Sequence, residues 1–380
     1  MNVQHASFQR QSRYNEDAAA DPVFEEVAGE QLVVWAVCDG HHGRGAATFV
    51  AGHCADELLH RLHRDSPCSP SQDLVAAAGR MRQAVSDTFV CLADSWEMAK
   101  KFSGTTFTMA VLYGSLLTVA NVGDSKAFMD TGSEIVELST SHRIEDNIGE
   151  RVRLQAAGAQ VARMHHTDFK APAPEGEKGI GKLRVWERNG LGRLRVSRAI
   201  GNVSIGKFIV PYPHVRQVLV PEEGCRVILG TDGLWDFLAT AKIFSSTGRM
   251  APAAAAQTLC KQAFAAQKTV SDDITAVVTD ILPSPGSTWP HVLRTLRQQS
   301  SPAWLGSCFS APPVRQGSGG ADGCLRPVAC MDAFEECAPA RDDTVGRMAQ
   351  RALLRRGDSA MQHLDKQAKA QEHVMARTST

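Results

Sequence analysis

Seven consecutive apolar residues, Leu32 to Cys38, run straight into Asp39-Gly40-His41-His42-Gly43. A run of that length with no alternation reads as a strand covered on both faces. A carboxylate at the end of such a strand is fixed in position, and Gly40 lets backbone or a ligand approach closely. Taken alone, an Asp-Gly pair reads more readily as loop punctuation. The same grammar returns, however, in Arg226-Val227-Ile228-Leu229-Gly230-Thr231-Asp232-Gly233. Two acids delivered this way from distant parts of the chain suggest one shared metal site.

Lys plus Arg and Asp plus Glu both number 41 in the 380 residues, so the formal net charge is zero. That balance argues against a nucleic-acid binder driven by phosphate neutralisation. No apolar run approaches the roughly 18 to 20 residues of a membrane span, and the N-terminus lacks a signal-peptide core. The ten cysteines form no CxxC pair. Several sit inside apolar runs and read as reduced thiols of a cytoplasmic or nuclear protein, without a zinc site.

In chain order, Ser7-Phe8-Gln9 reads as a first strand, and Asn15-Glu16-Asp17, beside Arg10 and Arg13, as a solvated loop. Residues 45–63 carry Phe49, Val50, Leu58 and Leu59 at the spacing of one helix face, and residues 69–92 predict a second helix. Strands are predicted at 104–112, 116–122 and 126–129, the first two joined as a hairpin at Tyr113-Gly114-Ser115. The middle one ends in Gly123-Asp124-Ser125, a third acid at a strand end. A short helix at 150–157 is closed by Gly158. Residues 164–182 are polar, rich in Pro and Gly, and read as a mobile surface insertion. An Ala-rich helix at 250–268, Asp272-Asp273 and a last strand at 274–281 complete a globular part, residues 1–282. Residues 283–342 then read as a flexible linker. In the tail, 343–380, Val345, Met348, Leu353 and Leu354 lie among Arg347, Arg351, Arg355 and Arg356. It is a candidate for a helix that binds a regulatory partner or a membrane surface, with a solvated, partly disordered tail as the plainer reading.

Glu16, Asp17, Asp39, Asp124, Asp232 and Asp272 are the acids to collect. Clustered carboxylates repel one another and are stable together only with cations. An all-oxygen set suits Mg²⁺ or Mn²⁺ rather than zinc. Two such ions lower the pKa of a shared water and clamp phosphate oxygens. No nucleophile elbow and no Walker loop is present, so the nucleophile reads as metal-bound hydroxide. His41, next to Asp39, is placed to protonate a leaving alcohol.

The residues also resemble those of a known family, the metal-dependent type 2C serine/threonine protein phosphatases. The resemblance covers about residues 5 to 282. Its motifs appear in order as Asn15-Glu16-Asp17-Ala18, Val37 to Gly43, Ser103-Gly104-Thr105-Thr106, Val119 to Lys126, Val196-Ser197-Arg198-Ala199-Ile200-Gly201, Thr231 to Asp236, and Asp272-Asp273-Ile274-Thr275. The resemblance implies an α+β fold, a four-layer α-β-β-α sandwich of two antiparallel sheets flanked by helices. It implies that Asp39 bridges two metals, that Asp232 and Asp272 hold the first, and that Glu16 and the Gly40 carbonyl hold the second. Asp17 would lie just outside, and Asp124 with Asp232 would match a third, weaker site. His41 matches the general acid. The implied activity is hydrolysis of phosphoserine and phosphothreonine on phosphoprotein substrates by a monomeric enzyme.

Three departures qualify the resemblance. Asn202 stands where the family usually has Asp, which implies a lost charge-assisted hydrogen bond rather than lost activity. Ser12 occupies the place of the family's phosphate-binding arginine, leaving Arg13, one step late, or Arg10 as substitutes. The insertion at 164–182 falls at a variable flap, so substrate preference is not legible. The competing readings are a catalytically silent binding module on the same fold and a two-metal hydrolase of small phosphate esters.

Overall fold

The computed structural model describes residues 1–64, 68–99, 102–186, 193–267, 272–283 and 285–292. The chain opens with β1 (Asn2–Arg10), β2 (Ala18–Val27), β3 (Glu30–Cys38) and the short β4 (Gly40–His41), followed by α1 (Gly45–Arg64) and α2 (Leu74–Met98). Next come β5 (Gly104–Thr105), β6 (Phe107–Tyr113), β7 (Leu116–Val122), β8 (Lys126–Asp130), β9 (Ile135–Glu137) and α3 (Ile148–Ala156). β10 (Gln160–Met164), β11 (Ile180–Trp186) and β12 (Arg193–Leu194) form a small sheet of their own. β13 (Ile200–Gly201), β14 (His214–Leu219) and β15 (Cys225–Gly230) return the chain to the centre. α4 (Asp232–Trp235), α5 (Thr240–Thr247), α6 (Pro252–Ala266) and β16 (Ile274–Leu282) complete it.

Two five-stranded antiparallel sheets organise these elements, β1-β16-β15-β8-β9 and β14-β7-β6-β3-β2. The period of two along β3 decides the layers. Leu32, Val34, Ala36 and Cys38 pack with Val50 and Leu58 of α1 and Met81 and Phe89 of α2. Val33, Trp35 and Val37 face the other way and meet Val227, Leu229 and Val277 of the opposite sheet. On that sheet's far side, Ile228, Ala276 and Val278 pack against Leu259, Cys260 and Ala263 of α6. This is the expected α-β-β-α sandwich, and it explains why both apolar runs lack alternation. Each buried Val, Leu or Ile gains about 1.5–3 kcal/mol by leaving water. An ion pair is buried among them. Arg226 is bonded through Nε and a terminal nitrogen to Asp280 at 2.6 and 2.8 Å, and to the Thr247 and Met250 carbonyls.

Several expectations shift. β1 begins at Asn2, and Asn15-Glu16-Asp17 leads directly into β2, a strand the sequence did not announce. α2 starts at Leu74, after Asp73 caps it by accepting from Ala76 N at 2.9 Å, and runs on to Met98. Residues 164–182, expected to be mobile, form the turn of the β10–β11 hairpin, pinned by Ala173 N to Arg163 O and His165 N to Ala171 O. The globular part also passes the boundary expected at 282, because Trp289 and Val292 are buried against Leu282. Residues 293–342 of the expected linker and the tail 343–380 lie outside the described residues. Among the described residues, no helix is long and apolar enough to cross a membrane.

Candidate metal centre and active site

The acids arrive at one rim because strands of both sheets end there. Asp39 follows β3, Asp124 follows β7, Asp232 follows β15 and opens α4, and Asp272 stands just before β16. Asp39, Asp124 and Asp232 each bring a carboxylate oxygen within 4.8 Å of the others. Asp272 lies close enough for its charge to raise the pKa of the Asp232 carboxyl. The Asp39 backbone is locked on both sides: its N–H donates to Thr106 Oγ1 at 3.1 Å, and its carbonyl accepts from Thr106 N at 2.8 Å and Thr105 Oγ1 at 3.0 Å. Asp17 is buried beneath this group. Its Oδ2 accepts the hydroxyls of Thr231 and Thr275 at 2.9 and 2.7 Å.

Glu16 stands apart from the three-carboxylate group but is built into the same loops. Its Oε1 accepts from Gly43 N at 2.5 Å, and a Cβ at Gly40 would overlap the Glu16 carbonyl. Only glycine allows these two strand ends to lie so close. Asp273 fixes the whole segment from the other terminus. Its carboxylate accepts the backbone N–H groups of Ser12, Glu16 and Asp17. The two arginines expected at the phosphate are not brought to the acids. Arg10 lies 3.4 Å over the Phe264 ring, and Arg13 bonds the Tyr14 hydroxyl while stacking on its ring. Each is held by an aromatic neighbour that the motif spacing does not reveal.

Burial first, then the neighbouring acids, push the Asp39 and Asp232 carboxyls well above the usual range. Asp272 is raised as well, mainly by burial. Asp17 is pushed up to about 7, again mainly by burial, with the two threonine hydroxyls opposing it. Burial and mutual repulsion thus work against the charge of these acids, and a dication would relieve the repulsion of several at once. The oxygen-only donor set fits Mg²⁺ or Mn²⁺.

Arg143 is the residue that sequence reasoning missed here. It reaches Asp124 at 2.6 Å, Asp232 at 2.8 Å, and both oxygens of Asp236 at 2.7 and 2.9 Å. Asp236 lay inside a quoted motif without a role. Arg143 lies between β9 and α3, where no periodicity singles out a charged residue.

His41 points toward the first departure, Asn202. Its Nε2 is 2.6 Å from Asn202 Oδ1. An amide oxygen only accepts, so Nε2 carries the proton. Burial holds the imidazole below its usual pKa despite the bond to Asn202. Asn202 sits at a φ of 64°, in the left-handed region that Asn tolerates better than most residues. Asn202, standing where the resemblance implies Asp, thus meets His41 through a neutral amide oxygen. His42, at a φ of 61°, is exposed and turned edge-on to His41.

A family model described as Protein phosphatase 2C matches residues 2–273, from β1 to the Asp272–Asp273 pair. The chain belongs to the protein phosphatase 2C family. It is 35% identical over 252 residues to "Probable protein phosphatase 2C 5" of Arabidopsis thaliana, covering 66% of this chain and 54% of that protein. It is 35% identical over 268 residues to "Probable protein phosphatase 2C 33" of Oryza sativa subsp. japonica, covering 70% and 58%. The chain thus spans a little over half the length of these curated relatives. Among solved structures, a serine-threonine phosphatase 2C from Toxoplasma gondii aligns with a TM-score of 0.51 at 22% identity, covering 73% of this chain and 99% of that one. A sex-determining protein of C. elegans aligns with a TM-score of 0.58 at 21% identity, covering 77% and 66%. Both likenesses concern the fold. The protein phosphatase 2C match contains all six collected acids, His41 and Asn202.

Proposed function

We propose that this protein phosphatase 2C chain hydrolyses phosphoserine and phosphothreonine on proteins, with two bound Mg²⁺ or Mn²⁺ ions. The observation that carries the reading is the meeting of Asp39, Asp124 and Asp232 within 4.8 Å at the ends of three separate strands. Asp39, Asp232, Asp272, Glu16 and the Gly40 carbonyl would hold the ions. When bound, they supply a water of lowered pKa and draw charge from the phosphate oxygens. Asp17, anchored by Thr231 and Thr275, underpins the group from beneath. His41, oriented by Asn202, would in its protonated form give a proton to the leaving serine or threonine oxygen.

A silent binding module on the same fold is the second reading. Asn202 and the absence of Arg10 and Arg13 from the acid group favour it, whereas the intact acids oppose it. Phosphate release from a phosphothreonine peptide, with Mn²⁺ and with excess chelator, separates the two. Release that depends on the cation is expected. Folded protein that binds the peptide without releasing phosphate at saturating Mn²⁺ supports the module. Faster release from a sugar phosphate than from the peptide places the enzyme in another hydrolase class.

A further inference from the structure

Arg143 sits inside a group of acids otherwise read as metal ligands. Its Nε bonds Asp124 Oδ2, one terminal nitrogen bonds Asp232 Oδ2, and Asp236 grips the outer edge of the fork with both oxygens. Two of the three carboxylates able to share an ion thus each commit an oxygen to one guanidinium. Asp39 is the member of the three that Arg143 does not bond. The side chain is 19% exposed, against 7% for Asp124 and 14% for Asp232, so these pairs are well shielded from water.

The arm is also anchored close to its partner acid. The Arg143 carbonyl accepts from Asp146 N at 3.1 Å and Asn147 N at 2.9 Å, at the start of α3. The preceding His142 bonds Gly123 through its backbone N–H, at 3.0 Å, and through its ring. Gly123 immediately precedes Asp124. Acid and guanidinium therefore belong to one hydrogen-bonded unit, in which the fork meets Asp236 bidentately and gives one bond each to Asp124 and Asp232.

We propose that Arg143 is a built-in cation that keeps the Asp124 corner of the acid group, so that the protein binds its metal ions without using Asp124. A metal ion bridging Asp124 and Asp232 would have to displace the guanidinium or lie against it, like charge on like charge. Asp39, Asp272 and the second oxygen of Asp232 remain for metal. This rests on the proposed phosphatase reading of the acids. It departs from the third, weaker metal site that the family resemblance implied for Asp124 and Asp232.

The test counts Mn²⁺ on the full chain by calorimetric titration and by the electron spin resonance of free Mn²⁺ at dialysis equilibrium. The wild type is expected to take two ions. Arg143→Gln is expected to take a third, weaker one, which Arg143→Gln/Asp124→Asn loses again. The metal-free Arg143→Gln protein should melt below the wild type, and saturating Mn²⁺ should narrow that gap. If Arg143→Gln does not fold, Arg143→Lys serves, because one ammonium cannot span three acids and a third ion should then enter at high Mn²⁺. Unchanged stoichiometry in every folded variant overturns the proposal, as does a third wild-type ion that Asp124→Asn removes. An unchanged ion count with at least tenfold weaker competitive inhibition by inorganic phosphate also overturns it, and makes Arg143 a substrate ligand instead. A wild type that binds no Mn²⁺ sinks both this proposal and the phosphatase reading.

Discussion

Asp39 combines burial with the repulsion of Asp17, Asp232, Asp124 and Asp272, all of which disfavour its charge. Asp39→Asn keeps the shape, removes that charge and removes one ligand oxygen. Turnover of a phosphothreonine peptide at saturating Mn²⁺ should fall more than about 100-fold, since even groups that only support metal ligands cost 10- to 100-fold. The metal-free melting temperature should rise, because one acid of the repelling group is gone; a scanning calorimeter reads both signs. His41 makes a different prediction. An alcohol needs a proton as it leaves, whereas p-nitrophenolate does not, and general acid help is worth about 10²–10⁴-fold. His41→Gln should therefore slow the phosphopeptide far more than p-nitrophenyl phosphate at equal metal occupancy. His42→Gln should be mild on both, because His42 faces solvent. Equal losses on the two substrates would remove His41 from the acid role. Asp39, Asp124, Asp232 and His41 could be read from the sequence because each stands at the end of an apolar run, which fixes its place, whereas Glu16, Asp17 and Asp272 enter as acids beside strands or through the motif resemblance. Arg143 and Asp273 could not. A charge in a loop has no period, and its partners lie 93 and 257 residues away in Asp236 and Glu16.

Strands covered on both faces were legible because burial removes the polar half of the pattern, as at Leu32–Cys38 and Arg226–Gly230. β2 was not, because Ala18-Ala19-Ala20 and Glu25-Glu26 carry neither strong β propensity nor clean alternation. It is a strand because β3 offers it an edge from Ala18↔Cys38 to Val27↔Glu30. α3 was legible in outline, with Gly158 beyond its end, but its attachment was not. Glu150, on its buried face, accepts from Ser197 Oγ at 2.6 Å, Arg198 at 2.6 Å and Arg153 at 2.9 Å, and so ties α3 to the segment leading into β13. Burial works against its charge, but Arg198, Ser197 and Arg153 outweigh it and hold the carboxyl at about 2. The folded pKa thus lies below the unfolded one, so the folded chain binds fewer protons. The stabilisation is complete above the ordinary glutamate range, near 4.5, and drains away as pH falls toward about 2. Glu150→Gln should cost roughly 2 kcal/mol near pH 7. The difference in melting temperature from wild type, both kept metal-free with chelator, should shrink between about pH 4.5 and pH 2. A gap that stays constant over that window would show that the carboxylate's charge does not hold α3.

The whole domain closes on its own two ends. β1 pairs with β16 from Asn2↔Leu282 to Arg10↔Ile274, and Trp289 and Val292 then cover Leu282. Chains ending at Leu282 and at Val292 should therefore differ. The longer should match the full chain in melting temperature and phosphate release. The shorter should fold and melt lower, because losing a buried Trp costs about 3–5 kcal/mol when the side chain alone is cut back to Ala. Equal melting temperatures would show that the Trp289 packing contributes nothing. The pairing of first strand with last also sets a timetable for the protein's birth. At roughly 5–20 residues per second, a ribosome needs on the order of 15 to 55 s to reach β16 after starting β1. Through that interval β1 lacks its partner, and Asp272 and Asp273 do not yet exist to complete the acid group and fasten Glu16 and Asp17 in place. A nascent or prematurely terminated chain therefore lacks a complete acid group until nearly the last residue of the domain has emerged.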